Sequence, residues 1–305
     1  MLGRRQLREK AMQAIYAWKS AGEDAGDRAI EKNMLKGIDE IYDLYIYLLN
    51  LLNFQKVIAE NKMEIAKNKN FTTEEDLNPN LRFVQNPIFE ILDINEELNS
   101  YTSKNKQLTW DLFDAYPNNI YKEFIASEDY QTYMSLPSTT FEQDKEFMMN
   151  FFENYIAPNE GLHDWLEEQN IHWADDLHIA NSMVLTTLKS FTSKSTGIIK
   201  LFKVYKDDDD REFVINLFRK TVRHDEETRK IIEEKANNWE IERIAMLDLI
   251  LLQMALTEFH YFYNIPPKVT LNEYIELSKI YSTEKSKIFV NGILDKSLKD
   301  MKQND

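Results

Sequence analysis

Apolar residues return every three or four positions along most of this chain, the period of a helix and not of a strand. Between Arg4 and Ser20 they are Leu7, Ala11, Ala14, Ile15 and Trp18. Between about residues 28 and 69 they include Leu35, Ile38, Tyr45, Leu48, Leu52 and Val57. The same spacing predicts helices over 109–133, 144–155, 181–191, 212–224, 228–236, 241–262, 270–280 and 287–301. In the last of these, Ile288, Val290, Ile293, Leu294 and Leu298 are the expected buried set. Asn78-Pro79, Asn86-Pro87, Pro137 and Pro158 punctuate the middle of the chain.

Local chemistry refines the boundaries. Residues 192–197 read as a loop, and the prolines at 266 and 267 predict an extended segment over 265–269. Thr270 and Glu273 then have capping-box spacing, and 282–287 reads as a polar turn. Asp207–Asp210 lack the glycine and the alternating ligands of a calcium loop. They read instead as the acidic first turn of the helix that follows, favourable to its dipole. Gly292 inside the last helix costs about 1 kcal/mol relative to alanine. It predicts close packing against a neighbouring helix.

Composition supports an all-α fold. The 305 residues hold only 7 Gly and 7 Pro, few for an α/β enzyme with tight turns and phosphate loops. No cysteine is present, which excludes disulfides, thiolate zinc sites and a cysteine nucleophile. The opening MLGRRQLREKAM has no apolar core of a signal peptide. The apolar stretch Ile41–Phe54 is too short for a bilayer, which needs about 20 residues. The expected location is cytoplasmic, with no membrane contact. The net charge of -15 is unevenly spread. Residues 1–20 carry five Lys/Arg and one acid, residues 21–175 carry 12 and 30, and residues 176–305 carry 20 and 21. The acidity is a property of the middle block and not of the two ends.

No catalytic constellation emerges. The five histidines, His163, His172, His178, His224 and His260, form no HExxH or other metal pair. There is no GxSxG, Walker or GxGxxG motif. Trp165 and Trp173 read as core. The chain is therefore expected to be no enzyme, with no catalytic residues, metal or cofactor. Arg4, Arg5 and Arg8 cluster at a helix start, where cations oppose the dipole by roughly 0.3–1 kcal/mol each. Such a cluster is either a solvated end or an anion site.

Two separated stretches together resemble the NusB transcription antitermination family. The first is GRRQLREKAMQAIYAW, Gly3–Trp18. The second runs from NWEIERIAMLDLILLQMALTEF at Asn238 to IPPKVTLNEYIELSKIYSTEKSKIFVNGILDK, which ends at Lys296. The resemblance implies an all-α, NusB-like double helical bundle. Residues 1–20 would supply its first helix with the arginine motif, 21–178 an acidic helical insertion, and 179–305 the remainder. It implies pairing with the small-subunit ribosomal protein NusE and binding of boxA RNA. It also implies help to RNA polymerase in reading through terminators of ribosomal RNA operons. Arg4, Arg5, Arg8, Lys285, Lys287 and Phe289 match its RNA-contacting positions. Tyr16 and Asp248 fall where members meet NusE, and Glu258 matches a regular acid of the same helix, here assigned to the partner as well. The family often has arginine where Gln253 stands and tyrosine where Thr257 stands. Similar motifs occur in certain ribosomal RNA cytosine methyltransferases, whose glycine-rich cofactor loop has no counterpart here. The alternative is a protein-interaction module that uses the acidic insertion and does not bind RNA.

Overall fold

The computed structural model describes residues 1–22, 26–113, 115–236 and 244–304. Among them all regular structure is helical, as the periodicity predicts. In chain order the helices are α1 (Arg4–Ala21), α2 (Asp27–Lys67), α3 (Glu74–Leu77), α4 (Pro87–Asp93) and α5 (Glu96–Lys104). Then come α6 (Ala115–Ile125), α7 (Glu128–Ser135), α8 (Phe141–Phe151), α9 (Glu160–Gln169) and α10 (Ile171–Ser190). The chain closes with α11 (Asp208–Arg223), α12 (Asp225–Lys235), α13 (Met246–Tyr261), α14 (Pro267–Tyr281) and α15 (Glu284–Asn304). The chain divides into two compact units, Met1–Ile38 with Tyr205–Asp305, and Asp39–Val204. These boundaries differ from those drawn on the sequence at 20 and 178, because α10 runs unbroken through residue 178 and packs with α8 and α9.

The first unit is built around α13. Every residue from Ile250 to Phe259 is buried, Gln253, Thr257 and Glu258 included. A helix with no solvent face must be surrounded. Helices α1, α11, α12, α14 and α15 all pack on it. Sequence periodicity suggested only a wide apolar face.

The second unit is organised on the part of α2 beyond Ile38. Leu44, Tyr45, Ile46, Leu48, Leu49, Leu51 and Leu52 are fully buried. Tyr47 stacks on Trp110 at 4.2 Å and lies 5.8 Å from both Trp165 and Trp173, so those tryptophans are core, as expected. Gly197 is required by a close approach. A Cβ there would stand 2.2 Å from the Ile94 carbonyl oxygen, and the Gly197 carbonyl accepts from the Glu96 N–H at 2.9 Å.

Several sequence expectations need correction. The pattern over 109–133 is two helices, because the Ser127 hydroxyl accepts from the Tyr130 N–H at 3.2 Å and starts α7. Residues 160–180, over which the spacing names no separate helix, form α9 and the first half of α10, capped by Asn159 and Asn170. The 265–269 segment is extended only to Pro266. Pro267 opens α14, because a proline at the first helical position loses an N–H that has no partner anyway. Thr270 therefore lies inside the helix and forms no capping box. The 282–287 turn shrinks to Ser282-Thr283, since Thr283 accepts from the Ser286 N–H at 3.2 Å and α15 begins at Glu284. Ile288 is 72% exposed and does not belong to the buried set. Gly292 is exposed, and a Cβ there would meet nothing within 4 Å, so close helix packing does not explain it. The predicted helix over 241–262 is seen from Met246 to Tyr261, and its positions 241–243 lie outside the described residues. The four aspartates behave as expected, with Asp207 accepting from the Asp210 N–H at 3.1 Å at the start of α11.

Candidate nucleic-acid interface

Helix α1 starts with two cations in its first turn, against its own dipole. The fold answers each arginine of the motif with a carboxylate brought from far along the chain. Arg4 Nε donates to Asp210 at 3.0 Å. Arg5 grips Glu273 with two bonds, at 2.8 and 2.9 Å. Arg8 grips Glu258 at 2.9 and 2.6 Å. Gln6 completes the start of the helix by accepting the Gly3 N–H at 2.7 Å, one half of a capping box whose other half a glycine cannot supply.

The three pairs differ in burial, and this separates their roles. Arg8 is 2% exposed and Glu258 1%. Thr270 and Tyr274 also donate to Glu258, at 2.6 and 3.2 Å, so its oxygens are well occupied. The Arg8 guanidinium lies 5.2 Å from the Phe213 ring centroid and 5.8 Å from that of Tyr274. Burial works to lower the Arg8 pKa, yet the Glu258 bond and nearby negative charge hold it above the ordinary value. Burial, with help from Glu258, pushes the Tyr274 hydroxyl well up. Glu258 is thus closed off from solvent, and Arg8 is nearly so, at the inner wall of the groove that Arg4 and Arg5 flank. Their ion pair locks α1, α13 and α14 together. Asp248 is also buried and accepts from the Ser282 hydroxyl, tying the start of α13 to the α14–α15 joint.

Arg4, Arg5 and Tyr16 remain accessible, the two arginine side chains at 37% and 45% and Tyr16 at 45%. Arg4 and Arg5 flank an open groove of about 560 Å³, whose apolar wall is Ile265, Pro266 and Val269. The Arg5 bond holds the Glu273 carboxyl below the usual carboxylate range. One turn along α14, Glu276 is also held low, first by its hydrogen bond from Lys279 and then by the charges of Lys279, Arg5 and Lys287. Arg5 is bonded to α14 through Glu273, and α15, whose first turns bear Lys285 and Lys287, packs on the same helix. Lys285 is exposed and Lys287 and Phe289 are half-buried, all on the first turns of α15. Sequence reasoning missed Glu273, Glu276 and Asp210. The available signal was the cost of cations at a helix start, which calls for acids opposite them.

Among the described residues no group of three or more acidic or histidine side chains is placed to hold a metal ion. No helix among them is long and apolar enough to cross a membrane.

The NusB family profile matches residues 178–299. A transcription antitermination protein NusB from Salinibacter ruber is 49% identical over 96 residues, covering 32% of this chain and 60% of that protein. Its counterpart from Chloroherpeton thalassium is 38% identical over 92 residues, covering 30% of this chain and 44% of that protein. The chain thus spans less than two thirds of either. For the counterpart from Listeria monocytogenes the figures are 33% identity over 115 residues, 38% of this chain and 90% of that protein. No solved structure matches the chain. With nearly the whole of the Listeria protein aligned to this all-helical chain, and the match running through the helices that surround α13, the chain belongs to the NusB family.

Proposed function

We propose that this chain is an RNA-binding transcription antitermination factor. It pairs with NusE, a small-subunit ribosomal protein, binds boxA-type single-stranded RNA in the cytoplasm and promotes read-through in ribosomal RNA operons. The observation that carries the reading is the open groove flanked by Arg4 and Arg5, with α15, which bears Lys285 and Lys287, packed on the same α14 that supplies Glu273. Two helix starts, those of α1 and α15, present cations there against their own dipoles. A polyanion lying across both adds to the compensation that Asp210 and Glu273 already give the α1 arginines. Unpaired bases stack on aromatic or guanidinium planes while cations hold the phosphates, and arginine does both.

On this reading Arg4, Arg5, Lys285, Lys287 and Phe289 meet RNA, and Tyr16 meets NusE. Arg8, Glu258 and Asp248 position the helices that carry them. The acidic second unit repels non-specific nucleic acid, which leaves affinity dependent on the partner. The test is RNA binding by the chain mixed with NusE across a salt series. Arg5→Ala and Lys287→Ala should each weaken boxA binding and lower the salt slope by roughly 0.7. Wild-type affinity in both variants would remove the assignment.

A further inference from the structure

The surface beside the arginine groove carries a second set of groups suited to a nucleic-acid strand. Asn264, Ile265 and Pro266 line the groove, and the residue just before them, Tyr263, is 90% exposed. Two positions earlier, Tyr261 stacks on His224 with ring centroids 4.3 Å apart and planes 23° from parallel. Its hydroxyl lies 3.0 Å from His224 Nδ1, which is itself 2.8 Å from Glu227. The ammonium of Lys220 stands 5.1 Å from the Tyr261 ring centroid. Lys220, Arg223 and His224 are three and four positions apart at the end of α11, so they share one helix face.

We infer that the α13–α14 loop and the end of α11 extend the RNA path beyond the arginine groove, with Tyr263 as a base-stacking platform and Lys220 and Arg223 as phosphate contacts. This rests on the RNA reading of the groove. Three observations favour a strand of RNA over a protein here. The patch is continuous with the groove through consecutive residues. Its aromatic ring is almost fully in water, where a base of any identity can stack on it. Lys220 and Arg223 supply two cations at the end of α11, one of them over the Tyr261 ring, beside the acids Asp225, Glu226 and Glu227 that open α12. Tyr263 alone would be an ordinary exposed side chain. Its place in the chain between the groove residues and Tyr261, whose ring Lys220 covers, makes the surface.

The experiment uses the full chain with NusE and two fluorescent RNAs: a boxA element alone, and the same element extended by about six uridines at each end, near the footprint of a single-strand site. Wild type should bind the extended RNA more tightly. Tyr263→Ala should weaken the extended RNA by about tenfold and leave the short one unchanged. Lys220→Gln with Arg223→Gln should reduce the salt slope for the extended RNA by about 1.4. If these variants bind both RNAs as wild type does while Arg5→Ala binds neither, this inference fails and the groove reading stands. If Arg5→Ala binds both RNAs normally, the groove reading fails and this inference with it. If Tyr263→Ala weakens capture of NusE and the preformed pair binds both RNAs normally, the patch is a protein contact and the inference is overturned.

Discussion

Arg8 and Glu258 stand 250 positions apart in the chain and meet in a two-bonded ion pair at 2.6 and 2.9 Å, with neither residue more than 2% exposed. Removing one member leaves the other charge buried and alone. Arg8→Ala and Glu258→Ala should each cost about 3–5 kcal/mol. Replacing both, as Arg8→Met with Glu258→Leu, should recover a large part of that loss, reduced by the orphaned hydroxyls of Thr270 and Tyr274. Urea unfolding of the three variants measures this. A double-variant loss equal to the sum of the two single losses would show that the pair is not coupled.

Arg5 and Glu273 form the exposed counterpart, and here pH is the probe. The folded Glu273 carboxyl titrates below its ordinary range, chiefly because Arg5 donates to it. Its contribution is therefore full above the ordinary carboxylate pKa of about 4.3 and is lost as pH falls through the lower, folded value. Water screens the pair, so the loss should stay within about 1 kcal/mol. Glu273→Gln should flatten the acid limb of the stability profile by that amount. A profile unchanged by the substitution would show that Arg5 does not hold this carboxyl.

Glu276, one turn along α14 from Glu273, feels the charges of Arg5 and Lys287 and belongs to the proposed RNA face. Glu276→Gln should tighten RNA binding by roughly two- to fivefold at low salt, and the gain should fade as ionic strength rises. Fluorescence titration across salt checks both parts. Weaker binding in this variant would mean that the strand avoids this face.

Two glycines should respond in opposite ways to alanine. At Gly197 the new Cβ would run into the Ile94 carbonyl, so Gly197→Ala should destabilise the second unit by about 1–3 kcal/mol. At Gly292 the methyl enters open space on a helix, so Gly292→Ala should stabilise by about 0.5–1 kcal/mol. Thermal unfolding of both variants reads the two signs. A loss at Gly292 would point to a contact the free chain does not make.

The chain's own order of residues determined its helical class, the position of most helices, the buried tryptophans and the acidic start of α11. These depend on neighbours within a few turns: the 3.6-residue period of apolar groups, caps, and charge beside a helix dipole. The motifs at its two ends were equally plain as strings of residues. Tertiary structure alone decided which arginine of the motif faces water. Arg4, Arg5 and Arg8 are alike as sequence, yet only Arg8 lies on the side of α1 that meets α13, and burial there demands a carboxylate partner. It alone decided that Thr270 serves Glu258 inside a helix, that Ile288 is exposed, and that Arg5 is bonded to Glu273. Such facts depend on groups on different helices, 12 residues apart for Thr270 and Glu258 and 250 for Arg8 and Glu258, where local periodicity carries no information and the packing around α13 decides.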